Sequence, residues 1–289
     1  MKRVLVVIVT FNAVKWLEKC LGSVASQDGA DAIIIDNAST DGTPDRIAER
    51  WPQFVLIRSG QNLGFGAANN LGMKYALEHD YDYVYLLNQD AWLLPGTLDA
   101  LLAAFENGAK ASGYAVLSPV QTDAQGLPDA NFARKCSKYL PEGSGSSGIC
   151  EVPFVMAAHW LVSAECLRRV GGFSPAFKQY GEDDNYLDRV HFHGLRCGVL
   201  PSVSAVHDRA SRRPTKEARL RLKTVSSVVR VSNPARNFAL SFLLEHFILA
   251  GMAVKNLSLA PLRFIPCLWS RKRELSQFRD SSRSIGAFL

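Results

Sequence analysis

Apolar runs of strand length alternate with amphipathic stretches through the first hundred residues. Residues 4–9, 32–35, 54–57 and 83–87 are continuous runs of aliphatic, aromatic and β-branched side chains. Between them, apolar positions recur at helical spacing over 16–25, 44–51 and 67–78. A run that is apolar at every position is the pattern of a strand covered on both faces. Strand–helix alternation at this spacing predicts right-handed crossovers and an α/β fold with a mainly parallel sheet flanked by helices. After the fourth run, a Pro95-Gly96 turn leads into a helical pattern over 98–105. Near Pro119 the pattern degrades, and residues 141–148 have the Gly/Ser composition of a flexible loop. Order resumes with a strand-like run over 152–162, a helix over 164–170, another after Glu182, and a last strand-like run over 197–200 that leads to His207.

Beyond residue 214 the pattern is helical: basic near 216–223, apolar over 238–254 and 257–269, then Arg271-Lys272-Arg273. The organisation expected is a 1–210 sheet domain and a 211–289 basic helical extension. The apolar stretch 238–254 is long, but Glu245-His246 sits at its middle. A central carboxylate costs about 2.5–3.5 kcal/mol on insertion scales, so a membrane-spanning segment is not expected. Lys2-Arg3 and the run after it imitate a signal peptide, but no small-residue cleavage site follows, and the segment reads as the first strand.

Charge divides the chain more sharply than composition does. The net +6 of 289 residues splits into 17 Lys+Arg against 23 Asp+Glu up to Asp208, and 16 against 4 from Arg209 onward. An acidic body with a tail of net +12 predicts an anionic partner for the tail. An anionic membrane leaflet is favoured over nucleic acid, for which the basic tail is the sole motive. A small helical cap packed on the sheet is the other reading of the tail. Six scattered cysteines with no C-x-x-C pair point to neither a disulfide framework nor a zinc site, and the expected location is cytoplasmic.

The polar residues that follow each strand carry the candidate chemistry, because ligands of open α/β sheets bind outside the strands' carboxyl ends. Thr10-Phe11-Asn12 ends the first strand, and Asp36-Asn37-Ala38-Ser39-Thr40-Asp41-Gly42 ends the second. Asn62-Leu63-Gly64-Phe65-Gly66 follows the third, Asn88-Gln89-Asp90 ends the fourth, and Glu182-Asp183-Asp184 opens a helix after Gly171-Gly172-Phe173. Asp90 is placed to hold a hard divalent cation against phosphate oxygens, although a helix cap or turn residue would look the same. The segment 36–42, taken alone, reads more readily as a turn with a helix cap. Three acids at a helix start also suit the helix dipole.

Taken in order, these motifs resemble the family 2 glycosyltransferases of the GT-A fold, especially their rhamnosyltransferase-like branch of bacterial polysaccharide synthesis. The matching stretches are Val7-Ile8-Val9-Thr10-Phe11-Asn12, Ile35 through Gly42, Asn62 through Gly66, Leu87-Asn88-Gln89-Asp90, and Gly171-Gly172-Phe173 with Tyr180-Gly181-Glu182-Asp183. The resemblance covers about residues 4–208 and leaves the tail outside. It implies that Thr10 and Phe11 line a nucleobase pocket, with Asn12, Asn62, Gly64, Asn88 and Gln89 also on the donor side. Asp36 would accept a hydrogen bond from the base imide N–H. Asp90 would be the main protein ligand of Mg²⁺ or Mn²⁺ on the diphosphate, and His207 a further ligand, though a satisfied surface histidine fits as well. The family usually has Asp-x-Asp where this chain has Asn88-Gln89-Asp90. Asp183 would be the general base of an inverting transfer from a UDP- or dTDP-sugar, dTDP-rhamnose included, to a glycan or lipid-linked acceptor. Peripheral placement on the inner face of the cytoplasmic membrane would follow. A non-catalytic nucleotide-sugar-binding member and a sugar nucleotidyltransferase are the alternatives. The second lacks the Gly-rich basic loop that it would need near the first strand.

Overall fold

The computed structural model describes residues 2–141, 148–209 and 216–289, without side chains at 216–221 and 223. Its first half follows the alternation in the sequence: β1 (Val4–Thr10), α1 (Leu17–Ala25), β2 (Ala30–Asp36), α2 (Thr43–Arg50), β3 (Val55–Arg58), α3 (Phe65–Glu78) and β4 (Tyr83–Asn88). These strands pair in the order β3-β2-β1-β4, all parallel. In β1 the side chains alternate between two cores. Leu5 and Val7 enter one, under α3, while Val4, Val6 and Ile8 enter the other, under α1. Both faces are covered, as the unbroken apolar run requires. Helix α3 lies so close that a Cβ on Gly72 would stand 2.4 Å from Val7. The register sets Thr10 opposite Asp36 and Val9 opposite Asn88, so the polar strand ends share one edge.

The other half departs from the expected parallel pattern. After β5 (Ala91–Leu93) and α4 (Thr97–Ala104) come β6 (Tyr114–Thr122), α5 (Ala130–Cys136), β7 (Cys150–Glu151), β8 (His159–Ser163), α6 (Ala164–Val170), α7 (Glu182–Phe192) and β9 (Arg196–His207). The sheet continues β4-β8-β6-β9-β5, with β7 on β9. Strand β8 is antiparallel to both β4 and β6, and β9 is antiparallel to β5 and β7, so the whole sheet is mixed. Strand β6 runs through Pro119, where the sequence pattern degraded, because its pairing with β9 breaks register between Pro119 and Val120. Pro201 falls in the stretch of β9 that this break leaves unpaired, so β9 extends to His207 beyond the expected end at residue 200. A bulge removes the need for the N–H that proline lacks. Of the run 152–162, only the end is strand; residues 152–158 are irregular.

Helices α8 (Lys216–Ser232), α9 (Phe238–Asn256), α10 (Ile265–Ser270) and α11 (Lys272–Ser281) form the extension. They share an apolar cluster with Ala176 and Phe177 of the sheet unit, built from Val228, Val231, Phe242, Leu249, Leu268 and Leu275. Arg230 of α8 donates to Glu245 of α9, at 2.8 Å to Oε2. The final residues return to the sheet unit: the Gly172 N–H donates to Ala287 O (2.9 Å) and Asn70 Nδ2 to Phe288 O (3.3 Å). The buried Arg189 guanidinium donates to Gly172 O, Val170 O and, at 3.4 Å, Ala287 O.

Candidate active site

The polar edge of β1, β2 and β4 is built from side chains that bind one another. Thr10 Oγ1 (2.9 Å) and Ser39 Oγ (2.6 Å) donate to Asp36 Oδ1, and the Ser39 N–H donates to Oδ2 at 3.0 Å. Asp36 is only 2% exposed. Asn12, at φ 50°, accepts the Thr40 N–H through Oδ1 (2.9 Å), which ties the 36–43 loop to the end of β1. Gln89 clasps Phe11 at both backbone groups, accepting its N–H at 2.6 Å and donating to its carbonyl at 3.2 Å. The Phe11 ring stays 46% exposed. Asn37 Oδ1 accepts from Leu63 N (2.7 Å), and Asn62 Oδ1 accepts from Gly64 N (2.9 Å) and Asn37 Nδ2 (3.1 Å). Gly64 has φ +83°, and a Cβ there would lie 2.4 Å from Lys178 O. This close approach brings the 178–183 segment over the strand ends.

Asp90 and His207 meet because β5 pairs with β9, which sets Ala91 opposite His207. The Asp208 N–H donates to Asp90 O at 2.9 Å. His207 Nε2 is 3.6 Å from Asp90 Oδ1, both side chains being almost fully buried, and Arg209 Nε is 3.9 Å from Oδ2. Asn88 Oδ1 and both His207 ring nitrogens are buried and have no hydrogen-bond partner among the described residues. Among those residues no group of three His, Cys, Asp or Glu side chains converges. A cation here would have one carboxylate, one imidazole and one amide oxygen. The Asn88 oxygen and the His207 nitrogens have lone pairs that no described residue uses, and with the Asp90 carboxylate such a set fits Mn²⁺ or Mg²⁺. Beneath them, His159 lies between Tyr85 Oη and Val206 O, each at 2.9 Å, and burial pushes its imidazole down to about 3, so it is neutral.

Across the cavity, Tyr180 (φ 66°) and Gly181 (φ +83°) turn the chain into α7. Asp183 Oδ1 accepts the Asp184 N–H at 2.9 Å. Burial, then the Asp184 charge, raises the Asp183 carboxyl above the usual carboxylate range, against the opposing pull of Lys135. Burial and the Asp183 charge raise Glu182 as well, and its Oε2 is partnerless among the described residues. A carboxylate that holds its proton more tightly is a better base.

One cavity of about 540 Å³ joins these parts. Phe11, Asn62, Gly64, Asn88, Gln89, Asp90, Asp183 and His207 face it together. Thr10, Asn12 and Asp36 do not; Thr10 and Asp36 are buried behind its wall, Asn12 is exposed beside it, and their bonds hold its loops. Arg209 faces the cavity and was not among the candidate residues. It stands two positions after His207, where it counts toward the basic tail. Met156–Ala158 and Lys178 also face the cavity, and nothing in their local pattern marked them; Tyr180 faces it too and was marked only within the Tyr180–Asp183 match.

Known proteins carry the same pattern. Residues 5–153 match the sequence model of glycosyl transferase family 2. The chain is 29% identical over 233 residues to the N-acetylglucosaminyl-diphospho-decaprenol L-rhamnosyltransferase of Mycobacterium tuberculosis, covering 71% of this chain and 76% of that one. Its fold is similar to that of Staphylococcus aureus TarS residues 1–349 (TM-score 0.58, 16% identity, 83% of this chain and 68% of that one). It is also similar to the Pyrobaculum calidifontis mannosyltransferase PcManGT in complex with GDP-Man and Mn²⁺ (TM-score 0.53, 22% identity, 80% and 61%).

Proposed function

Because the chain belongs to glycosyl transferase family 2 and is rhamnosyltransferase-like, with the GT-A fold, we propose that it transfers a sugar with inversion from a dTDP- or UDP-sugar to a hydroxyl of a lipid-linked glycan. One observation carries this reading: Asp90 with His207, and Asp183, come from separate parts of the chain to face one cavity. The relative's name supplies the acceptor class, a sugar on a polyprenyl diphosphate.

The chemistry follows from what each group can do. The exposed Phe11 ring offers an apolar face to the nucleobase. Asp36, buried behind the cavity, uses three acceptor directions within the fold and so fixes the loop after β2, from which Asn37 faces the cavity. A divalent cation held by Asp90, His207 and the Asn88 amide oxygen would neutralise the charge that develops on the departing diphosphate. Arg209 adds a fixed positive charge beside Asp90 on the same side. Asp183 takes the proton of the acceptor hydroxyl. The acceptor oxygen bonds the anomeric carbon as its bond to phosphate oxygen breaks, and the electron pair leaves with the diphosphate. A single displacement inverts the configuration.

A donor screen over dTDP-rhamnose and UDP-hexoses, reading nucleotide diphosphate release with a polyprenyl diphosphate-linked sugar, tests this. Release with one donor that depends on acceptor supports the transfer. Donor binding with no release under any pairing would leave a nucleotide-sugar-binding protein instead.

A further inference from the structure

The extension presents an apolar face that no described residue covers. On α9, Leu240, Leu243, Leu244, Phe247, Ile248 and Val254 recur at spacings of three and four and are exposed, Phe247 by 67% and Val254 by 77%. Leu257 (94%) and Leu259 (68%) continue the face past the helix end. Exposed apolar patches of this extent mark an interaction site. The one carboxylate of the helix points the other way: Glu245 is buried and bonded by Arg230. Exposed cations stand on the same extension. Lys255, Arg263, Lys272 and Arg273 are exposed, and Lys272 Nζ stands 4.8 Å from the ring centre of the half-exposed Trp269. Tryptophan beside lysine and arginine is the composition of a water–lipid boundary.

We infer that α9 lies in the plane of an anionic bilayer, with this face sunk into the headgroup boundary and the cations on phosphate groups. By length and composition α9 could cross a membrane. Its inner side forbids that in the folded enzyme, because Glu245 is paired to α8 and Phe242 and Leu249 pack in the cluster that includes Phe177. A second copy on this face would bring two strongly basic extensions together. The cluster also joins the docked helix to the segment that leads from Phe177 to Asp183. Bilayer contact would therefore fix the height of the cavity above the surface, where a lipid-borne acceptor lies. This last step rests on the acceptor class proposed above.

Full-length protein should co-sediment with phosphatidylcholine vesicles increasingly as phosphatidylglycerol is added, and less as salt rises. The double substitution Leu244→Ser with Phe247→Ser alters only exposed side chains, so the melting curve should be kept while vesicle affinity falls about tenfold or more. Bromine-labelled lipid should quench a fluorescence component that Trp269→Phe removes. Undiminished vesicle binding by the double variant would overturn the inference. So would a wild-type dimer that ignores anionic vesicles and dissociates in the variant, which would assign the face to a second copy. Transfer to the lipid-linked acceptor in detergent tests the acceptor separately. Vesicle binding without such transfer removes only the acceptor, and transfer without vesicle binding removes only the docking.

Discussion

In β1 every side chain from Val4 to Ile8 is buried, and the nearby carboxylates of Asp90 and Asp183 are turned toward a cavity. In α9 Leu240, Leu243, Leu244 and Phe247 face outward, while Glu245 is buried against an arginine. The sheet unit hides its apolar groups and aims its charges; the extension hides a charge and aims its apolar groups. Each arrangement costs stability where it stands, since desolvated carboxylates and exposed leucines are both unfavourable in an isolated fold. On the proposed function and docking, what offsets the cost differs: a bound donor and cation in one region, an apolar surface in the other.

The contrast breaks most completely at Asp90. Asp90→Asn should abolish transfer, as should EDTA on the wild type, with activity restored by added Mn²⁺ or Mg²⁺. Full turnover in EDTA would end the metal assignment. At Asp183, Asn should cut turnover by about 10²–10⁴-fold while calorimetry shows donor affinity nearly unchanged. Its raised proton affinity also sets a pH dependence. As the proposed base, Asp183 acts deprotonated, so the acid limb of turnover should lie above the usual carboxylate range. Stability moves oppositely. A carboxyl whose folded proton affinity is raised loses stability as pH climbs from its unfolded value through its folded one. Asp183→Asn should therefore raise the melting temperature at pH 8 and leave it nearly unchanged at pH 4.

The extension makes the mirrored case. Arg230→Met strands Glu245 in an apolar setting and should cost about 3–5 kcal/mol in denaturant unfolding. Adding Glu245→Leu should recover most of it, since an apolar pair of similar volume replaces a buried ion pair with little loss. The smallest expected effect is Asn88→Asp, which adds a second carboxylate beside Asp90. Half-saturating Mn²⁺ should fall about tenfold, the order of a 1.4 kcal/mol gain. An unchanged metal dependence would place Asn88 outside the cation's reach.

How far the sequence spoke depended on where each element's partners lay. Strands β1, β2 and β4 are continuous apolar runs, and such a run names its own environment. Strands β6 and β9 each contain a proline that only their mutual bulge accommodates, and β8 opens with His159, a polar side chain in a core position. Its two ring nitrogens find Tyr85 and Val206 from other strands, partners that no local window contains. In the site, Asp90, Asp183 and His207 were legible because position after a strand or at a helix start selects them. Thr10 and Asp36 were legible as polar strand ends, but their burial behind the cavity depends on bonds to each other and to Ser39. Arg209 was obscured by the basic tail it begins. The reversed faces of α9 were hidden for a similar reason: a central Glu245 counted against a spanning segment, but only its bond to Arg230 shows which side of the helix turns inward.

The return of the last residues to the sheet unit has a consequence for how this protein is made. Gly171 has φ +87°, and a Cβ there would lie 1.8 Å from Ala287 O; Gly172 donates to the same carbonyl. Arg189, at the heart of α7, takes one of its acceptors from that segment too. While residues 285–289 are still on the ribosome, the glycine turn and the helix that carries Asp183 lack their last partner. The basic, apolar-faced helices between are therefore synthesised before the site behind them can close.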